Sequence, residues 1–315
     1  MTGMGRVWRR LRRALRPRRA RLQLVAKDAR LGELVDASAG IERIAGGFGF
    51  VEGPVWMEET RTLLFSDIPG NRIHQWSTAG GLSTYREPSE HSNGLTRDGA
   101  GGLIACEHGT RRVTRTEADG RIVVLADRFG GRRLNSPNDV VEGPLGAVYF
   151  TDPPYGIRAG EQEQPLQGVY RVLPGASGPE LLAGDFDRPN GLAFSPDQGR
   201  LYIADSSSRR HVRVFDVGPD GRLSGGGVFV SMAGGASGVP DGMKVDTEGN
   251  LYSTGPGGVW VIDPAGRHLG VIPVPEVAAN CAWGGDDWCS LFITAQSSVY
   301  CLRVRIPGIA PGRSR

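Results

Sequence analysis

Lysine is almost missing from this chain: Lys27 and Lys244 stand alone against 35 arginines among 37 basic residues. Such a bias reads as coding preference rather than a surface selected for nucleic acid, so no nucleic-acid partner is expected. No stretch approaches 18 consecutive apolar residues, which excludes a membrane-spanning helix. The four cysteines, Cys106, Cys281, Cys289 and Cys301, form no Cys-x-x-Cys pair, and three of them crowd near the C-terminus. Buried thiols in a reducing cytoplasm are the expectation, and they are poor metal ligands here. Gly-x-Ser-x-Gly, His-Glu-x-x-His, Walker and dinucleotide fingerprints are absent, and with them the common hydrolase, zincin, nucleotidase and dehydrogenase readings.

The formal charge of +3 misleads. Residues 1–21 hold nine arginines and no acid, so the remainder carries 28 basic and 34 acidic groups, a net of −6. Residues 1–22 read as an unstructured Arg-rich extension, with a basic arm or an amphipathic surface helix as alternatives. Residues 23–40 form a lead-in, where Lys27, Asp28, Arg30 and Glu33 break any apolar secretion signal. Residues 306–315 read as a tail.

What is abundant is glycine, 48 residues, and it is periodic. Six triplets precede β-rich runs: Glu52-Gly53-Pro54, Ser92-Asn93-Gly94, Pro137-Asn138-Asp139, Pro189-Asn190-Gly191, Pro240-Asp241-Gly242 and Ala279-Asn280-Cys281. Their polar residues are separated by 41, 45, 52, 51 and 39 positions. A period of roughly 40 to 50 residues, with about four short strands in each, marks a propeller blade. The prediction is therefore an all-β, six-bladed β-propeller over residues 41–305, with four antiparallel strands per blade. The sixth unit runs out of chain after residues 299–304, so residues 41–44 are expected to pair into the last blade and close the ring, removing an exposed edge.

Each triplet opens the innermost strand of its blade, so all six polar residues should meet at one end of the central channel. Glu52, Asn138, Asn190 and Asp241 are hard oxygen donors, and two acids balance one divalent cation such as Ca²⁺, Mg²⁺ or Mn²⁺. Asx side chains bonding their own backbone would give similar triplets without a metal. Glu52 argues against that, because glutamate is a weak turn former and costly to bury alone.

Taken together, Glu52-Gly-Pro-Val-Trp56, Pro137-Asn-Asp-Val140, Phe150-Thr-Asp-Pro-Pro-Tyr-Gly156, Pro189-Asn-Gly-Leu-Ala-Phe-Ser-Pro-Asp197 and Pro240-Asp-Gly-Met243 resemble the gluconolactonase and regucalcin (senescence marker protein) family. His91-Ser-Asn-Gly-Leu95 and Cys106-Glu-His-Gly109 are similar to its bacterial gluconolactonase branch. The resemblance spans residues 45–303. It implies a six-bladed propeller holding one divalent cation, Ca²⁺ first with Zn²⁺, Mg²⁺ or Mn²⁺ able to serve, and hydrolysis of a small-molecule sugar lactone. The metal ligands it implies are Glu52, Asn138, Asn190 and Asp241. Ser136 stands where the regucalcin branch carries a substrate-holding arginine.

On this reading Asp241 is ligand and base or nucleophile, with Glu107 and His108 as a second catalytic pair. Asn93, Asn138, Tyr155 and Asn280 are the expected substrate-binding groups. The run from Ser206 to Arg210 reads as a solvated turn. A metal-dependent phosphotriesterase or arylesterase would use the same quartet with a more apolar pocket, and a non-enzymatic binding propeller would need no quartet.

Overall fold

The computed structural model describes residues 19–312. Most of the Arg-rich extension thus lies outside the described residues. Six four-stranded antiparallel units follow one another along the chain. The first is built from Val51–Met57, Thr62–Asp67, Arg72–Ser77 and Gly81–Arg86. The fourth repeats the plan with Pro189–Phe194, Arg200–Asp205, His211–Val217 and Leu223–Ser231. Apolar side chains from adjacent blades interlock between the sheets. Leu64 and Ile73 pack with Leu95 and Ala105, and Tyr149 and Phe194 with Leu201 and Ile203. Tyr149, Tyr170, Tyr202 and Tyr252 are all completely buried; each contributes on the order of 2 kcal/mol of apolar burial.

Ring closure follows the sequence reading. Ile41–Gly46 pairs antiparallel with Ser298–Arg303, Tyr300 lying opposite Arg43. Two further pairings were not foreseen. Arg19–Ala20 lies beside Ile41–Gly46 in the sixth blade, and Val25–Ala26 beside His268–Pro273 in the fifth. The chain therefore joins the sheets from residue 19, inside the segment read as an unstructured extension. Leu22, Leu31 and Leu34 are buried against these two blades. At the other terminus, residues 307–312 pack against the propeller rather than trailing away: Thr247 donates to the Pro307 carbonyl at 2.9 Å, and Gly308 to Trp288 at 2.9 Å. Among the described residues no helix is long and apolar enough to cross a membrane, and all four cysteines are free thiols.

Four of the polar triplets turn out to be bulges within strands, whereas Pro137-Asn138-Asp139 and Pro240-Asp241-Gly242 stand just ahead of Val140–Glu142 and Met243–Val245, as the sequence reading places them. Glu52, Asn93, Asn190 and Asn280 lie inside inner strands whose register shifts at Glu52/Val55, Ser92/Leu95, Pro189/Leu192 and Ala278/Asn280. A bulge re-aims one side chain out of the pleat, and here it aims the polar residue along the channel. The residue after it sits where neighbouring inner strands nearly touch. Gly94 donates its N–H to Asn138 O, and Gly242 to Ala279 O, both at 2.8 Å.

Candidate active site

The carboxylates and amides of the inner strands form two connected groups at one end of the channel. The first is a donor chain across blades. Asn93 Nδ2 donates to Asn138 Oδ1 at 2.7 Å, Asn138 Nδ2 to Asn190 Oδ1 at 2.5 Å, and Asn190 Nδ2 to Ser206 Oγ at 2.9 Å. Ser206 then donates to the Pro240 carbonyl at 2.5 Å. Ser206 is thus a channel group and not part of a solvated turn.

The second group is acidic. Glu52 and partly buried Asp241 are joined by Asp139, which like Glu52 is buried. Asn280 Nδ2 donates to Glu52 Oε2 at 3.0 Å and to Asp139 Oδ2 at 3.4 Å, while its Oδ1 accepts the Cys281 N–H at 2.8 Å. Asn280 therefore spends its amide holding carboxylates in place rather than presenting it to substrate. Burial, then the charge of Asp139, pushes Glu52 up to about 7. Burial, then Glu52 and Asp139, raises Asp241 well above the usual carboxylate range. Among the described residues no arginine or lysine forms an ion pair within 4.0 Å with any of the three; Lys244, whose Nζ donates to the Met243 carbonyl, draws Glu52 down only as the smallest influence on it.

Hydroxyls on the second strands fasten this ring from behind. Ser66 Oγ donates to Asn93 O, Thr151 Oγ1 to Asn190 O and Thr254 Oγ1 to Ala279 O, each at 2.8 Å and each reaching the inner strand of the next blade. Fixed supporting groups of this kind hold ligands in one orientation.

The proposed Glu107/His108 pair is separated. His108 is 7% exposed, and its Nε2 lies 3.3 Å from Asn93 Nδ2. Burial, and next His91, brings its pKa down to about 4, so the ring is neutral at pH 7 and Nε2 accepts the amide proton. Glu107 points the other way. Its carboxylate accepts from Thr110 Oγ1 and Arg112 Nε at 2.6 Å, Thr114 Oγ1 at 2.9 Å and Arg86 Nη2 at 3.3 Å.

The repeat explains why. Glu107 pairs with Ser92 as Asp67 pairs with Val51 and Asp205 with Pro189, each partner preceding the polar residue of its inner strand. Asp67 accepts the N–H groups of Gly49, Phe50 and Gly70, and Asp205 those of Asp187, Arg188 and Ser207. This is the fastening position of the blade, and the residue after it, His108 or Ser206, is the one that reaches the channel. Glu107→Gln is expected to lower the thermal midpoint by about 6–15 °C, the cost of breaking a buried ion pair, with the pH–rate profile unmoved. An unchanged midpoint with a displaced profile would return Glu107 to the chemistry.

Tyr155, 39% exposed, stands at the rim with the Arg188 guanidinium 5.7 Å over its ring. Ser136 is fully buried, donates to the Pro153 carbonyl at 2.7 Å and accepts the Gly156 N–H at 2.8 Å. It pins the loop that carries Tyr155. A cavity of about 450 Å³ opens on Asp241, walled by Phe50, Val239, Val277 and Ala279, with Arg210 on its edge. Of these wall residues only Ala279 belongs to a repeated triplet; Phe50, Val239 and Val277 come from the loops between and carried no sequence signal.

The donor set fits a hard divalent cation. Glu52 and Asp241 supply charge, Asn138 and Asn190 supply amide oxygens, and among the described residues neither acid has an ion-pair partner within 4.0 Å. Without a cation, Glu52 ionises near pH 7 in the folded chain but near 4.5 when unfolded. Its protonated form therefore favours folding fully below pH 4.5, and that contribution is lost as pH rises through 7. Cation-free protein should show a thermal midpoint that falls between pH 4.5 and 7, with a shallower fall in Glu52→Gln; a flat wild-type curve would contradict the buried-acid geometry.

A six-bladed propeller with carboxylates and amides converging on one channel mouth defines a class of small-molecule sites built from repeats. Residues 50–297 match the model of the SMP-30/gluconolactonase/LRE-like region, and the chain belongs to that family. It is 33% identical over 305 residues to a gluconolactonase of Zymomonas mobilis, covering 89% of this chain and 85% of the relative. It is 30% identical over 250 residues to a pentonolactonase of Haloferax volcanii, covering 77% and 80%. The solved structure of a Xanthomonas campestris gluconolactonase superposes with a TM-score of 0.83 at 35% identity, covering 92% of this chain and 97% of that one.

Proposed function

We propose that this protein hydrolyses a sugar lactone to its hydroxy acid at the Asp241 end of the channel, with one divalent cation bound there. The observation that carries the reading is the convergence of Glu52, Asn138, Asn190 and Asp241 on one site, where burial and mutual repulsion raise both acids and the charge of Lys244 is the smallest influence on Glu52. Glu52, Asn138, Asn190 and Asp241 would hold the ion, Ca²⁺ being the best match to an all-oxygen set and Mg²⁺, Mn²⁺ or Zn²⁺ able to substitute. When bound, the ion polarises the lactone carbonyl and stabilises the developing oxyanion.

The chain's own residues do the rest. Asp241 takes the proton of the attacking water as a positioned carboxylate base. It returns that proton to the ring oxygen as the ester bond breaks, leaving a carboxylate and a hydroxyl. Asn93 and neutral His108 position sugar hydroxyls from the second blade, and Tyr155 closes the rim. Asn280 and Asp139 hold Glu52 in place.

The test is acid release from glucono-1,5-lactone after chelation and after readdition of each ion, run beside an aryl ester and a phosphotriester. The apolar wall of Phe50, Val239 and Val277 is why the latter two belong in the panel. Cation-dependent lactone turnover that exceeds both supports the lactonase reading. Preference for either competitor moves the assignment to the esterase alternative, and no turnover of any of them favours a binding propeller.

A further inference from the structure

We infer that the cavity beside Asp241 is built for a lactone carrying an anionic group away from the ring carbonyl, with Arg210 as its recognition residue. The inference rests on the lactonase reading and narrows it to a substrate class. Among the residues lining that cavity, Phe50, Val239, Val277 and Ala279 are apolar, Asp241 is the one acid and Arg210 the one base. A substrate whose carbonyl sits at Asp241 thus meets a single cationic group in the lining of the same space.

Arg210 is held there by its backbone. Its N–H donates to Ser207 O at 3.2 Å and its carbonyl accepts from Met232 N at 2.8 Å. The guanidinium makes one weak contact, Nη1 to the Gly234 carbonyl at 3.4 Å, and among the described residues it has no carboxylate within 4.0 Å. Its neighbours differ: Arg209 pairs with Asp205 and Arg213 with Asp185.

Comparison between blades sharpens the point. Asn71 and Arg111 share with Arg210 a left-handed backbone in the turn after the second strand. Asn71 Oδ1 accepts the N–H groups of Ser89 and His91, and buried Arg111 donates Nε to Leu134 O and pairs with Glu163. Structure consumes the side chain in those two blades, whereas in the fourth it is left facing a cavity. A guanidinium fork there suits a phosphate, sulfate or carboxylate, which it can grip with two parallel hydrogen bonds. Outside residues 1–21 the chain carries a net −6, so an anionic substrate needs a local positive group of this kind to settle beside Asp241.

The test uses the full chain with its cation and compares kcat/KM for glucono-1,5-lactone, its 6-phospho derivative and glucarolactone, in wild type, Arg210→Gln and Arg210→Lys. Wild type is expected to prefer one of the anionic lactones over the neutral one by about 10- to 100-fold, the worth of a charge-assisted contact, and which of them leads tells phosphate from carboxylate recognition. Arg210→Gln should collapse that ratio towards one, mainly through KM, with Arg210→Lys restoring part of it and the thermal midpoint moving little. Turnover of all three lactones at similar kcat/KM, or a ratio unmoved by Arg210→Gln, overturns this inference and leaves the lactonase reading standing. No turnover of any lactone removes both.

Discussion

Asp241→Asn should cost about 10³-fold in kcat/KM for a lactone while making the cation-free protein more stable. The first effect follows from the role given to the side chain, since deleting a positioned base removes about 10²- to 10⁴-fold, and a cation ligand is weakened as well. The second follows from electrostatics. Asp241 is a partly exposed acid raised by desolvation and by Glu52 and Asp139, so the amide relieves repulsion that the fold otherwise carries. Functional sites commonly hold such locally unfavourable arrangements. Circular-dichroism melts at pH 7 in chelator, beside initial rates, separate the two effects. A variant that keeps activity within a few fold, or melts well below wild type, would contradict the placement of Asp241.

Gly242→Ala is expected to damage the site and the fold together. A Cβ at this position would overlap Asn280 Cγ and both of its terminal atoms. Asn280 cannot step aside cheaply, because it is bonded to Glu52, Asp139 and the Cys281 N–H. The Gly242 backbone is also fixed, donating to Ala279 and accepting from Thr254. Overpacking of this kind costs about 1–3 kcal/mol, or roughly 2–10 °C in a chain of this size. Displacing the group that orients Glu52 should weaken cation binding by about 10- to 100-fold. Gly227→Ala is the control, since nothing lies within 4 Å of the Cβ it would add. Equal behaviour of the two variants would mean that the close approach at Gly242 is unimportant.

The architecture was legible because each blade repeats one polar residue at a fixed structural place, and the closing strand because residues 41–44 were the only β-rich run left to complete the sixth unit. The pairings of Arg19–Ala20 and Val25–Ala26 were not legible. Two-residue strands at a sheet edge are made by backbone hydrogen bonds and leave no alternation of side chains to read. Glu52, Asn138, Asn190 and Asp241 are candidates legible from position in the repeat, whereas Asp139 carries no such mark although it stands beside Asn138 in the same triplet. Its signal was a departure: Gly53, Gly94, Gly191 and Gly242 occupy that place in four other blades, and an acid where close packing favours glycine calls for a reason.

Glu107 was misread for the opposite cause. Set against Asp67, Asp152 and Asp205, it is the blade's fastening acid, and the alignment of second strands would have said so. Ser206 was missed because a serine run beside two arginines looks like a solvated loop; only the fold brings its hydroxyl to Asn190.

The most direct test of the account is titration of cation-free protein with Ca²⁺, following heat and lactone hydrolysis on the same samples, for wild type and Glu52→Gln. The account expects one ion per chain, activity that rises in step with occupancy, and a Glu52→Gln variant that binds at least about 10-fold more weakly. Full hydrolysis by the cation-free protein, or tight binding that Glu52→Gln leaves unchanged, would contradict it.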